Sequence, residues 1–107
     1  MKLRLGDISY ARSGDKGSAA NIGVIARKPQ HFELLRRHLT VDVVGKFFNV
    51  RNAVRYELPN LGALNFLLPE ILDGGGSVSL KTDAQGKALG QQLLEMELEI
   101  SDAEAPR

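Results

Sequence analysis

The sequence predicts an α+β domain with a mixed sheet of about four strands and two to three helices mainly on one face. Short alternating apolar stretches at the N-terminus and in the middle of the chain indicate strands. Between them, apolar residues recur at helical spacing after Pro29 and again after Thr40. Strands that alternate with helices in the second half favour right-handed crossovers and some parallel pairing. A ferredoxin-like sandwich fits these observations.

The length and composition of the chain are those of one ordinary globular domain. The chain has 107 residues, of which 43% are hydrophobic and 25% charged, and it contains no cysteine. A chain of this length buries roughly two-thirds of its unfolded surface, which is enough for one core. No apolar run is long enough for a membrane helix, and the charged N-terminus lacks the apolar stretch of a signal peptide. We therefore expect a cytoplasmic protein with no disulfides and no membrane partner.

The N-terminal part is predicted to hold two antiparallel strands joined by a polar loop. Residues 2–10 alternate between apolar and polar, with a shift of register at Gly6 that suggests a β-bulge. Glycines interrupt the polar residues 12–18, which predicts a loop. The β-branched run 21–26 predicts the second strand, and a helix that begins at Ser18 is the alternative.

Two helices and a third strand are predicted next. Pro29 suits the first turn of a helix whose apolar stripe runs to Leu39. Thr40 is predicted to cap a second helix that ends at Asn49. Residues 53–58 alternate around apolar side chains and predict the third strand.

The remaining third of the chain is less clearly patterned. One helical face would carry Leu61, Leu64, Leu68 and Leu72, so we predict a helix there. Pro69 is expected to kink it or to separate two short helices that meet there. Residues 77–81 predict a fourth strand. The apolar stretch 87–100 fits both a helix and a strand, and a short helix at about 87–95 is favoured. The polar residues 101–107 are expected to fray.

The densest polar chemistry lies in the predicted loop after the first strand. It comprises Arg12, Ser13, Gly14, Asp15, Lys16 and Gly17. Glycines let backbone N–H groups converge on an anion, and the guanidinium and ammonium groups suit phosphate or carboxylate. The residue order matches neither a Walker A loop nor a dinucleotide-binding glycine motif. The alternative is an ordinary turn in which the carboxylate and the ammonium group pair, although loops of this length tend to carry function.

Other candidates carry weaker signals. Asn65 lies beside an apolar stripe, and a buried amide needs partners, so we expect it to face the polar loop or a ligand. The turn at residues 83–87 is the other expected neighbour of that loop. His31 and His38 are about two helical turns apart without nearby carboxylates, so no metal site is predicted. The basic stretch 27–55 has few aromatic residues, which argues against nucleic-acid binding.

Several long stretches resemble one known family. They are residues 11–17 (ARSGDKG), 20–27 (ANIGVIAR), 56–66 (YELPNLGALNF), 74–77 (GGGS) and 83–87 (DAQGK). These stretches are similar to the C-terminal domain of the acyclic terpene utilisation protein A (AtuA) family. The resemblance implies a small ferredoxin-like domain over the whole chain. It also supports the polar run as a site, together with Asn21.

The resemblance implies a metabolic context and leaves the reaction open. In the family this domain often follows a large N-terminal domain, and members lie among genes for breakdown of branched or terpenoid acyl-CoA. We therefore expect a free-standing accessory subunit that acts with a large AtuA-like partner. A homo-oligomer is left open, and no cofactor is expected.

The alternative is a small enzyme or binding protein that acts alone on a CoA ester or carboxylic acid. In it, Arg12 and Lys16 hold the anion, and Asp15 is the candidate general base. An exposed aspartate is too acidic for efficient base catalysis at neutral pH, so this role needs Asp15 to be buried.

Overall fold

The computed structural model describes residues 1–16, 18–69 and 89–105. In chain order the elements are β1 (Lys2–Arg4), β2 (Ser9–Lys16), β3 (Ala19–Ala26), α1 (Pro29–His38), α2 (Val41–Phe48), β4 (Val54–Leu58), β5 (Ala63–Leu68), α3 (Leu89–Leu94) and β6 (Glu97–Glu99). The main sheet has the strand order β2-β3-β5-β4, and β1 pairs with β6 in a separate two-stranded ladder. The predicted α+β, ferredoxin-like fold is confirmed.

All strand pairs in the described part of the chain are antiparallel. The parallel pairing expected for the second half is therefore not found among these strands. The fourth strand predicted at 77–81 and the turn at 83–87 lie outside the described residues. The core lies between one face of the main sheet and the helices, which contribute residues such as Leu35, Val44 and Leu93.

The first predicted strand is interrupted by a helical turn. The register shift at Gly6 is a 3-10 turn over Leu5–Asp7, so the predicted β-bulge is wrong. The turn is anchored because the Leu5 N–H donates to the Met96 carbonyl at 2.8 Å and the Ser9 hydroxyl donates to the Leu5 carbonyl at 2.8 Å. It sends β1 towards β6 and lets β2 join the main sheet.

The polar run predicted as a loop over residues 12–18 is mostly strand. Arg12 to Lys16 continue β2, and the β2–β3 ladder runs from Ser9↔Ala26 to Lys16↔Ala19. Only two residues separate the strands, which is a common length for a hairpin connection. The prediction was wrong because ladder hydrogen bonds are made by the backbone and do not require apolar side chains. The helix considered at Ser18 is also wrong, since β3 begins at Ala19.

The predicted helix after residue 61 is replaced by β5, at the centre of the sheet between β3 and β4. Leu64, Phe66 and Leu68 are fully buried, whereas Leu61 is 70% exposed. The leucine pattern was misleading because a spacing of four residues satisfies both the helical period and the strand period of two. The predicted continuation beyond Pro69 lies outside the described residues.

The two central helices begin and end where their capping residues predict. Pro29 is the first residue of α1. The Thr40 hydroxyl accepts a hydrogen bond from the Val43 N–H at 3.2 Å at the start of α2. Asn49 ends α2 in the left-handed conformation, with φ of 56°. The ambiguous stretch 87–100 contains both alternatives in turn, α3 and then β6.

Residues 101–105 are held in place, contrary to the fraying predicted for them, whereas residues 106 and 107 lie outside the described residues. Residues 102–104 form a 3-10 turn that packs beside α1. The Glu104 carboxylate lies 2.7 Å from His38 Nε2 and 3.0 Å from Arg37. The hydrogen bond with His38, and then the bond from the Ser101 N–H, lower the pKa of Glu104 from 4.5 to about 2.

Acid is expected to weaken this C-terminal contact. The Glu104 pKa is lower in the folded protein than in the unfolded chain, so the unfolded chain takes up the proton first. The stabilisation is complete above pH 4.5 and is lost as the pH falls towards 2. Urea unfolding from pH 7 to pH 3 measures it against Glu104→Gln. That variant should be less stable at neutral pH and less sensitive to acid, and equal acid sensitivity of both proteins would contradict the assignment.

Candidate functional site

The β2 strand places the predicted site residues on two opposite faces of the sheet. Successive strand residues point to alternate faces, so Arg12 and Gly14 share one face while Ser13 and Asp15 share the other. Ala11 lies on the same side as Ser13, and a Cβ built on Gly90 of α3 would lie 3.3 Å from the Ala11 Cβ. The second face is therefore the one that the helices cover, and we call the first face the open face.

Ser13 has a structural contact on the helix side. Its hydroxyl oxygen accepts a hydrogen bond from the Gly90 N–H at 3.0 Å. This N–H is in the first turn of α3, where backbone donors lack partners within the helix. A Cβ on Gly90 would approach Ser13 Oγ and the Arg12 backbone at 3.4 Å, so glycine permits the close contact between α3 and β2.

Replacing Ser13 with alanine is expected to destabilise the domain by about 1 kcal/mol, because a part-buried N–H loses its acceptor. Urea unfolding measures the loss. Hydrogen exchange of the Gly90 amide should accelerate more than exchange in the β2–β3 ladder. Ser18→Ala, at an exposed turn position, is the control, and unchanged exchange at Gly90 would contradict the capping role.

Asp15 lies near the end of β2, on the opposite face of the sheet from Arg12. It is exposed, and its backbone pairs with Ala20. Its carboxylate is therefore not in the buried environment that a general base would require. Lys16 stands opposite Ala19 at the end of the ladder, and Gly17 lies outside the described residues.

The open face brings together three of the predicted polar residues. The register aligns Arg12 with Gly23, then Asn65 and Tyr56 across the four strands. In the neighbouring row Gly14 is aligned with Asn21. A Cβ on Gly14 would lie 3.4 Å from the Asn21 Oδ1, so the missing side chain leaves room for this amide. Arg12, Asn21 and Asn65 thus surround a shallow floor made by two glycines.

These polar groups are available for an external partner. Within the described residues, the side chains of Arg12, Asn21 and Asn65 form no hydrogen bond or ion pair. A Cβ built on Gly23 would have no neighbour closer than 4.0 Å, so the floor between Arg12 and Asn65 is open to solvent. A guanidinium and two amides with free donors suit a carboxylate or another planar acceptor.

Exposed apolar side chains flank this polar centre. Tyr10 and Tyr56 are each 51% exposed, and Ile25, Leu58 and Val54 are also exposed. The described open-face positions are Tyr10, Arg12, Gly14, Ala19, Asn21, Gly23, Ile25, Val54, Tyr56, Leu58, Ala63, Asn65 and Leu67. None of these positions carries a carboxylate. The open face is therefore a largely apolar surface that carries, on the edge strand β2, a cation with no partner among the described residues.

Sequence reasoning missed this surface because the apolar residues of β4 lie on the open face and its charged residues lie on the helix side. Tyr56 and its apolar neighbours in β4 are on the open face, while Arg55 and Glu57 are on the helix side. Arg55 donates to the Arg36 and Leu39 carbonyls at 2.9 and 3.0 Å, so it satisfies acceptors at the end of α1. The alternation of residues 54–58 was the available signal, but it was used only to predict a strand and did not indicate which face its apolar residues occupy.

The described cavities lie elsewhere. A cavity of about 480 Å³ is lined by α1 and residues 103–105, and another of about 970 Å³ borders α2. A third, of about 360 Å³, lies between the start of α1 and residues 59–62. No cluster of three or more His, Asp or Glu suited to a metal occurs among the described residues. The helices in the described part are also too short or too polar to cross a bilayer.

Comparison with known proteins agrees with the resemblance noted in the sequence. No curated protein and no solved structure matches the chain. A family model described as the AtuA ferredoxin-like domain matches residues 3–99, which is nearly the whole chain. The chain therefore belongs to the AtuA ferredoxin-like domain family.

Proposed function

We propose that this domain is an accessory module that docks through its open face onto a larger chain of the AtuA family. We further propose that the complex acts in the cytoplasm in the breakdown of branched-chain or terpenoid acyl-CoA. The family relationship supports the choice of partner, because this domain usually occurs in larger proteins. The composition of the open face supports the mode of contact.

The apolar residues of the open face favour contact with another protein. An antiparallel sheet that has water on one side normally alternates, with polar residues on the wet face. Here the open face carries Tyr10, Ile25, Tyr56 and Leu58 instead. Contiguous exposed apolar residues mark interaction surfaces, and tyrosine is enriched among residues that dominate binding energy.

Arg12 carries the argument for a different chain as the partner. Its guanidinium is unpaired within the described residues, and the open face that carries it is largely apolar. Two copies packed face to face would each bury Arg12 against described positions that lack a carboxylate, which is costly. A partner that presents a carboxylate to Arg12 would instead form a charge-assisted hydrogen bond.

Purification of the native protein from its own host tests this proposal. The domain should co-elute with a larger chain identified by mass spectrometry as a member of the AtuA family. Recombinant co-expression should then reproduce the complex, and Tyr56→Asp should disrupt it without unfolding the domain. Elution of the native protein alone or as a homodimer at every stage would overturn the proposal.

A second candidate function is binding of a carboxylic acid or CoA ester at the glycine floor. It is favoured by the three free polar groups of Arg12, Asn21 and Asn65. Asp15 lies on the other face, so we propose binding without catalysis there. Thermal shifts with acyl-CoAs and small organic acids test it, since binding at ten times Kd adds about 1.4 kcal/mol. The absence of any thermal stabilisation at about millimolar ligand would contradict this candidate function.

A further inference from the structure

A second site with basic side chains lies at the end of the sheet, outside the open face. It is the cavity of about 360 Å³ between the first turn of α1 and the 3-10 turn that joins β4 to β5. One side carries Arg27 and Lys28, and the other carries Asn60 and Leu61. The volume is at the lower end of the range for ligand sites, which suits a ligand of few atoms.

The two cations have no opposing charge in this cavity. No residue lining it is acidic, and neither Arg27 nor Lys28 forms an ion pair among the described residues. Arg27 is held in place because its Nε donates to the Gly6 carbonyl at 3.1 Å and its guanidinium lies 4.0 Å from the centre of the Tyr10 ring. Its two terminal NH₂ groups remain free to donate, and a fixed guanidinium loses little entropy when it binds an anion.

The rest of the lining is apolar and reaches the surface. Phe32, Pro59 and Leu61 border the cavity, and Leu61 is 70% exposed. An exposed leucine is ordinary by itself, but this one lines the same cavity as Phe32. The lining therefore combines cationic and apolar residues, and the Asn60 amide is an additional donor or acceptor.

We propose that this cavity binds a small organic carboxylate, with the carboxylate between Arg27 and Lys28 and the alkyl tail along Phe32 and Leu61. The site shares no residue with the Arg12 floor, so hexanoate binding is tested on the domain alone, without the proposed partner. The combination of two cations with an apolar wall selects against bare anions, which lack the tail, and against alcohols, which lack the charge.

Titration of the isolated domain with hexanoate, followed by amide NMR, tests the site. Saturable shifts are expected at Lys28, Phe32 and residues 60–62, with a Kd on the order of 1 mM for so small a ligand. Acetate and hexanol should each bind at least about fivefold more weakly, because each lacks one half of the recognition. Absence of saturable shifts, or equal binding of hexanol or acetate, would overturn the proposal.

Variants separate the cationic contribution from general charge. Lys28→Ala should weaken hexanoate binding about five- to tenfold, and Lys28→Arg should restore it. Lys46→Ala, which removes a charge on α2, is the matched control and should bind as the wild type does. If Lys28→Ala and Lys46→Ala have the same affinity, the site is refuted.

His31 provides a readout in the unmodified protein. Burial lowers the pKa of His31, and the charges of Lys28 and then Arg27 lower it further. A carboxylate bound between these cations would offset their field, so saturation with hexanoate should raise the pKa of His31 in an NMR titration. Hexanol should leave that pKa unchanged, and an unchanged pKa with hexanoate would contradict the placement of the carboxylate.

Discussion

Leu64→Ala should lower the free energy of unfolding by about 2–5 kcal/mol, whereas Leu61→Ala should change it by less than about 0.5 kcal/mol. The chemical change is identical at the two positions. Leu64 is fully buried in the central strand β5, where truncation removes apolar contacts and leaves a cavity. Leu61 is 70% exposed, so its side chain gains little from folding.

Urea unfolding of both variants at one pH measures this difference. The comparison also distinguishes the observed strand from the helix that the leucine spacing predicts, because on the helix both leucines would be on the buried face. Leu67→Ala, on the open face of β5, should have an intermediate effect. Similar losses for Leu61→Ala and Leu64→Ala would contradict the strand assignment.

Arg12→Ala is expected to weaken binding of the larger AtuA-family chain by roughly 30- to 1,000-fold, or about 2–4 kcal/mol. The loss is large because the partner's carboxylate would remain buried without its counter-charge. The free domain should keep its stability within about 0.5 kcal/mol, since Arg12 is exposed and has no partner among the described residues. Isothermal titration calorimetry on the purified complex components measures the affinity.

The control for Arg12 is another exposed arginine. Arg51→Ala removes the same charge from the connection between α2 and β4, outside the open face, and should bind the partner as the wild type does. Arg12→Lys should recover only part of the affinity, because an ammonium group cannot form the bidentate contact of a guanidinium. Equal affinities of Arg12→Ala and Arg51→Ala would show that Arg12 does not contribute to docking.

The sequence predicted the features that are set by local chemistry. Pro29 and Thr40 locate the starts of α1 and α2 because fixed φ and a side-chain acceptor are properties of single residues. The 53–58 strand was found because alternation is local. Which face of that strand meets the helices could not be predicted. It depends on the hydrogen bonds from Arg55 to carbonyls at the end of α1, which join distant parts of the chain.

The residues of the candidate site were predicted from the sequence, but their arrangement in space could not be predicted. Asn65 was expected to face the polar run, and the register does place it in the row of Arg12. Ser13 was grouped with Arg12 by proximity in sequence, but in a strand adjacent residues face opposite sides. The interruption by Gly14 predicted a loop, whereas in the sheet that glycine makes space for the Asn21 amide.

The stacking of Arg27 on Tyr10 connects two surfaces that are otherwise separate. Arg27 lines the cavity at the end of the sheet, and Tyr10 belongs to the open face. A carboxylate that binds the Arg27 guanidinium and a protein that covers Tyr10 would therefore contact the two members of one stacked pair. Thermodynamic linkage requires the coupling to be reciprocal: whatever factor hexanoate applies to partner affinity, the partner applies to hexanoate affinity.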